Sequence, residues 1–294
     1  MLFPVSGVET PLWVPPLTAL AVSFVTSMGG VSGAFLLLPF QVSVLGYTAP
    51  SVSATNQVFN IVAIPGGVYR YLREGRMVWP LVIAVTAGTL PGVFLGALVR
   101  VAWLPDPTAF KAFAGLVLLY IGARMARDAA RGGGGRKAPS GPMAVTGARL
   151  DWRGGEYVFE GERHTFSTPA VFGLCLAVGV VGGVYGIGGG AIVAPFFVAV
   201  LGLPVHTVAG AALCGTFVTS VFGVLFYHLI APFFPGMAVA PDWRLGLLFG
   251  LGGLVGIYLG ARCQRFVPAR LIKLLLTAVI LFTAGKYLLG FLFN

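Results

Sequence analysis

The chain has 294 residues, 57% of them hydrophobic and only 10% charged, with a mean hydropathy of +0.92, where a soluble domain carries about a quarter charged residues. Apolar runs of roughly 20 residues recur along it, which reads as a polytopic helical membrane protein and excludes both a soluble fold and a barrel of short alternating strands. The net charge of +10 falls in the loops between apolar runs, which reads as positive-inside loops facing anionic lipid and not as a nucleic-acid surface.

The N-terminal stretch MLFPVSGVETPLWVPP has no basic region and is not read as a cleaved signal peptide. The first apolar run, about residues 15 to 46, would make roughly 48 Å of helix, too long for a single crossing of a ~30 Å core. It is interrupted at Gly29, Gly30 and Gly33 and again at Pro39. Further runs cover about 50 to 70, 77 to 100 and 107 to 127; a polar segment covers about 128 to 168; four more runs cover about 169 to 202, 205 to 230, 243 to 262 and 268 to 292. The predicted organisation is a membrane repeat over 1–127, a linker with a small hairpin insert over 128–168, and a second membrane repeat over 169–294.

The halves correspond in order. An offset of 156 places Gly33, Pro39, Phe40, Leu45 and Gly46 on Gly189, Pro195, Phe196, Leu201 and Gly202, and Gly67 on Gly223. An offset of 164 places Gly92, Gly96 and Ala97 on Gly256, Gly260 and Ala261, and one of 162 places Lys111 on Lys273. This series reads as an internal duplication. Charge then argues the topology. If each long first run folds back as a glycine-hinged hairpin, one side carries 15 Lys and Arg and the other only Arg100, Lys111, Arg244 and Lys286, a better asymmetry than eight simple spans provide. The expected fold is an all-α polytopic membrane protein with two inverted repeats, each a broken or hairpin first helix plus three transmembrane helices. The N-terminus is expected outside and 128–168 in the cytoplasm.

The middle segment starts with the flexible RGGGGRKAPSGP and continues as ARLDWRGGEYVFEGERHTFS, whose alternating runs around GG and EG predict one or two hairpins. Asp151, Glu156, Glu160, Glu162 and His164 are interleaved with arginines and read as a solvated face, not a metal site. Cys175, Cys214 and Cys263 lack paired spacing, and no disulfide, metal or cofactor is assigned.

Two kinds of constellation could carry chemistry. The first is the pair of glycine hinges, GGVSG with Gly29, Gly30 and Gly33, and YGIGGG with Tyr185, Gly188, Gly189 and Gly190. Consecutive glycines exceed what helix packing needs, and a break exposes amide N–H groups and a helix N-terminal dipole that attract an anion. Gly92/Gly96 and Gly256/Gly260 have the four-residue spacing of close helix packing and are read that way. The second is the polar stretch after each hinge: SATNQVFN with Ser53, Thr55, Asn56, Gln57 and Asn60, and CGTFVTS with Thr216, Thr219 and Ser220. Gln41 and Tyr185 are weaker candidates. Interhelical hydrogen bonding is the alternative reading of all of these. No Asp or Glu falls inside a predicted span, whereas ion-coupled carriers usually place one near the midplane. Lys111 and Lys273, one turn inside helix starts, read as snorkelling side chains, and His206 and His228 as interfacial.

With GGVSGAFLLLPF in the first half and GGVYGIGGGAIVAPFFVAVLGLPVHTVAGAALCGTFVTSVFGVLFYH in the second, the sequence resembles the sulfite exporter TauE/SafE family. The second block is the more specific; the first is diverged. The resemblance implies a secondary carrier, not an enzyme, that moves sulfite, a sulfonate or a related small anion across the bacterial inner membrane. An anion channel and an uptake permease for the same substrates are the alternatives. The expected partners are the small anion and membrane lipid, with no nucleic acid; homo-oligomerisation stays open.

Overall fold

A computed structural model describes residues 1–28, 32–130, 145–199, 201–263 and 269–293. Two short paired strands, β1 (Leu2–Phe3) and β2 (Val8–Glu9), precede α1 (Val14–Met28), α2 (Ala34–Ser43), α3 (Ser51–Ala63), α4 (Pro65–Arg73), α5 (Trp79–Ala102) and α6 (Pro107–Ala130). After β3 (Thr146–Leu150), β4 (Gly154–Phe159) and β5 (Glu162–Ser167) come α7 (Thr168–Tyr185), α8 (Gly190–Ala199), α9 (Val205–Ile230), α10 (Trp243–Cys263) and α11 (Ala269–Leu292). Among the described residues, six helices, α5, α6, α7, α9, α10 and α11, are long and apolar enough to cross a membrane. Their outward faces carry exposed leucines such as Leu247, Leu251, Leu274 and Leu275, as lipid contact requires. The protein is an all-α, multi-pass membrane protein.

Both long first runs are broken. α7 stops at Tyr185 because the next residues leave helical space: Gly186 has φ +78° and Gly188 φ +70°, values that L side chains resist and glycine adopts freely. The Gly186 and Ile187 N–H groups turn back onto the Gly182 carbonyl at 2.8 and 3.1 Å, satisfying part of the helix end. In the first half α1 ends at Met28 and α2 restarts at Ala34; Gly29 and Gly30 lie outside the described residues.

Small residues dictate which helices touch, and the order of contacts gives their direction. A methyl group at Gly88, Gly92 or Gly96 of α5 would strike the carbonyls of Phe172, Leu176 and Val180 of α7, in that order, so α5 and α7 run the same way. Gly252, Gly256 and Gly260 of α10 meet Pro16, Leu20 and Phe24 of α1 in the same manner. These are the close backbone approaches that the four-residue glycine spacing predicts. α10 also runs with α3, Gly246 against Val58 and Gly250 against Val62, while α5 runs with α9, Gly215 on Val85 and Phe94 stacked on Phe226. Since α1 and α3 share one direction, the chain between them, α2 included, must return to the end where α1 began. The same reasoning applies to α8 between α7 and α9. Between corresponding helices of the two halves the order reverses: Gly223, Leu213 and Gly210 of α9 face Gln57, Gly67 and Tyr71, and Gly115 and Gly122 of α6 face Leu288 and Leu281 of α11.

Two expectations are corrected. The run read as one span over 50 to 70 is divided into α3 and α4 at Pro65, which lacks the N–H that would bond the helix onward. In the insert the turn is not at Gly154–Gly155 but at Asp151–Arg153; both glycines lie in β4, and the Phe166 ring fills the space a Gly155 side chain would need. The sheet is three-stranded and antiparallel with β4 central. The β4–β5 turn at Glu160–Gly161 has positive φ at both residues, +52° and +82°, the geometry of a tight hairpin. Tyr157, Phe159 and Phe166 are buried, the Tyr157 hydroxyl lies 2.8 Å from Thr207 Oγ1, and the Val145 N–H bonds the Gly75 carbonyl at 3.0 Å. The sheet thus docks on the ends of α4, α7 and α9. Burial pushes the Tyr157 phenol up, opposed by the Thr207 hydrogen bond. Glu156 is paired with Arg163.

The packing makes a direct prediction. Gly92→Ala and Gly96→Ala should each destabilise the protein by about 1–3 kcal/mol through backbone overpacking. Gly285→Ala, in a helix with open space beside it, should be neutral or stabilising by up to ~1 kcal/mol. Thermal unfolding in detergent checks the contrast.

Candidate functional site

The hinges of the two halves meet, and the hydrogen bonds that join them come from α3 and α7. α3 places Ser53, Asn56, Gln57 and Asn60 on the buried side of the bundle, all at 0% exposure. Asn56 Nδ2 donates to the Ala34 carbonyl at 3.0 Å and to the Gly186 carbonyl at 3.1 Å, so one amide holds the restart of the first run and the break of the second. Its Oδ1 accepts from Gln41 Nε2 at 3.3 Å. Ser53 Oγ donates to the Val184 carbonyl at 2.7 Å. In return the Tyr185 hydroxyl donates to the Phe35 carbonyl at 2.8 Å. The Val184 and Gly186 carbonyls at the end of α7, and the Phe35 carbonyl that Pro39 leaves without a helical N–H, are therefore satisfied from the other half of the chain, as an interrupted backbone in lipid requires.

A second cluster lies one turn further along α3. Asn60 Nδ2 donates to Ser220 Oγ at 3.3 Å, and Gly188 faces the Thr216, Thr219 and Ser220 side chains. Gly189 packs on the buried Thr89 and Gly190 on Ala212 and Thr216, while Gly33 meets Ser23 and Thr26. Thr216 and Thr219 donate to their own helix, to the Ala212 and Gly215 carbonyls at 2.9 and 2.7 Å, so they present methyl groups and lone pairs to the hinge. Gln57 lies against Gly223, and among the described residues both of its side-chain amide atoms are without a partner, as are Asn60 Oδ1, Gln41 Oε1 and Ser23 Oγ. Buried amides are rarely left so, because each unpaired group costs about 1–3 kcal/mol.

The structure therefore brings together Gly33, Gln41, Asn56, Gln57, Asn60, Tyr185, Gly188, Gly189, Gly190, Thr216, Thr219 and Ser220. Thr55 is placed elsewhere: its Oγ1 lies 2.9 Å from the Tyr47 hydroxyl and accepts the Asp242 N–H at 2.9 Å. Asp242 itself caps α10 through Leu245 N–H at 3.1 Å and holds the N-terminal strands through Ser6 Oγ at 2.8 Å. Thr89, which the sequence reading passed over, is a hinge neighbour; a threonine in the apolar TAGTLPG stretch between two glycines was its signal. Arg100 was read only as a loop-side cation. It is fully buried, donating to the Leu104 carbonyl and, at 2.8 Å, to the Thr48 carbonyl, with its guanidinium 3.8 Å from the Phe110 ring centre.

The sequence that forms this bundle matches the family profile described as sulfite exporter TauE/SafE over residues 16–287. The chain belongs to the sulfite exporter TauE/SafE family. That match spans both halves and the insert, so hinges and polar helices alike lie within the family's extent. TauE/SafE proteins are membrane transporters. No curated protein and no solved structure matches the chain.

Asn56 and Gln57 are adjacent and equally buried but differ in what they hold, which separates structure from binding in this TauE/SafE protein. Asn56→Ala should lose about 2–4 kcal/mol of stability, since three hydrogen bonds go at once. Gln57→Leu, which removes two unpartnered polar atoms at similar volume, should leave the unfolding temperature unchanged or raised. Thermal unfolding in detergent without added anion measures both.

Proposed function

We propose that this protein is a secondary carrier that exports a small sulfur-containing or organic anion, such as sulfite or a sulfonate, across the bacterial inner membrane. The observation that carries the reading is the unpartnered, fully buried Gln57 amide, which lies against Gly223 of α9 on the same helix as Asn60 and as the Asn56 that joins the two breaks. Gln57 Nε2 offers N–H donors to an oxyanion, and Asn60 Oδ1 accepts from a proton the anion carries. α2 and α8 both begin at the hinges, so their N-terminal dipoles add positive potential without a cationic side chain.

The opposed order of contacts between α3–α4 and α9, and between α6 and α11, supports two inverted repeats that exchange roles as the site opens to either side. The 15 basic residues on the insert's side against 4 on the other support a cytoplasmic insert and an external N-terminus. With that orientation an inside-negative potential favours outward movement of an anion by about 2.3 kcal/mol per charge per 100 mV. The site residues named above include no carboxylate, so no coupling ion is required.

Purified protein in liposomes should move radiolabelled sulfite or a sulfonate saturably and faster with an imposed potential, and Gln57→Leu should lower that flux at least about tenfold. Flux equal to that of empty vesicles across a panel of such anions overturns the reading. Discrete single-channel currents without saturation would replace the carrier with a channel.

A further inference from the structure

At the end of the bundle away from the insert, a cleft of about 250 Å³ opens among α2, α6 and α11, lined by Ser43, Thr108, Lys111, Lys286 and Tyr287 among others. We propose that this cleft is a second oxyanion site, a vestibule in which the anion rests on two ammonium groups before or after it passes the hinge. The proposal rests on the carrier reading above.

The placement of charge is the first argument. On the insert's side basic residues abound, and any two of them would meet by number alone. On the far side there are only four among the described residues, and three gather at this corner: Lys111 and Lys286 line the cleft, and Arg100 lies 3.8 Å from the ring of Phe110, the residue before Lys111. The cleft lining contains no Asp or Glu, and among the described residues neither lysine has a carboxylate within ion-pairing distance. Two like charges sharing a cleft without a counter-charge repel each other, and an anion relieves that repulsion. The C-terminal dipole of α2 accounts for a cation near Ser43; it does not account for two in a cleft with three hydroxyl groups.

Connection to the hinge is the second argument. α2 has 10 residues and so spans roughly 14 Å; its first carbonyl is held by Asn56 and its last residue lines the cleft. Ser43 Oγ lies 2.7 Å from the Tyr287 hydroxyl, which donates to the Pro39 carbonyl at 3.3 Å. One short helix thus joins the buried site to the cleft. The duplication supplies the third argument. The offset of 162 that pairs Lys111 with Lys273 also pairs Arg124 with Lys286, so the antiparallel α6 and α11 carry cations toward both ends, Lys111 and Lys286 toward one and Arg124, Arg127, Arg270 and Lys273 toward the other. Cations at both ends suit a carrier that opens alternately to each side.

The ligand chemistry is an oxyanion group, either of the free anion or of a lipid headgroup, and the test separates the two. With full-length protein in phosphatidylcholine nanodiscs, amine acetylation read by mass spectrometry reports the reactivity of each lysine. Millimolar inorganic sulfate should slow modification of Lys111 and Lys286 severalfold while leaving Lys137 unaffected, in the wild type and in Gln57→Leu alike. Protection that requires phosphatidylglycerol in the nanodisc and not sulfate gives the same oxyanion site to a headgroup. Unchanged reactivity under both conditions overturns the proposal. In proteoliposomes, Lys111→Gln combined with Lys286→Gln should raise the half-saturating anion concentration on the far side about tenfold. If the wild type moves no anion yet sulfate still protects, the carrier reading fails and the cleft stands. If transport is normal and neither lysine is protected, the cleft fails alone.

Discussion

The arrangement depends on one constraint: a backbone interrupted inside a membrane must find partners for the N–H and C=O groups it frees, because lipid supplies none. Here the two interruptions supply each other. Asn56 of the first half bonds the Gly186 carbonyl of the second, and Tyr185 of the second bonds the Phe35 carbonyl of the first. The breaks are therefore coupled by construction. Moving one without the other strands a buried polar group, so whatever opens this site must rearrange both hinges or exchange one set of partners for another.

The rest of the bundle divides by how firmly it is packed. α5 with α7 and α1 with α10 meet backbone to backbone through glycines spaced by four, contacts in which no side chain is free to adjust. These pairs make a rigid frame in which the first helix of each half is fixed to the helix of the other half's third apolar run, α1 to α10 and α7 to α5. α2 and α8 have no such ladder. Both are short and begin at a glycine break, and α2 is tied by Asn56, Tyr185 and Tyr287, interactions that exchange more easily than interlocked backbones. The frame and the movable parts are thus distinguished by residue size as much as by position.

How much of this could be read from the sequence follows from the range of each interaction. The helix breaks were legible because consecutive glycines act locally, and Gly92/Gly96 and Gly256/Gly260 announced close packing by spacing alone. Asn56, Asn60 and Gln57 stood out because amides are costly in an apolar run. What could not be read was partner choice. Thr55 sits in the same polar turn as Asn56, yet it bonds Asp242, 187 positions away, and nothing in SATNQVFN tells one residue from the other. Gly155 looked like a turn residue because a Gly-Gly pair usually is one; only the Phe166 ring across the sheet explains its place in a strand. Arg100, at a span's end, gave no sign that it would be buried.

On the carrier reading proposed above, the distribution of charge follows from what a carrier site must avoid. A fixed cation at the hinge would bind an anion strongly, but in a low-dielectric interior it would also hold it, and release requires that binding be weak enough to reverse. Amide donors and helix dipoles give a shallower well. Cations serve better at the ends, where water screens them and where they concentrate anions without trapping them. The chain has this pattern: Gln57, Asn56 and Asn60 in the interior, and Lys111 and Lys286 in a cleft at the surface. Arg100 is the exception that fits the rule. Buried without a carboxylate, it gives its N–H groups to the Leu104 and Thr48 carbonyls and its face to Phe110. It is thereby occupied in joining the end of α5 to the start of α6, the helix whose Lys111 lines the cleft.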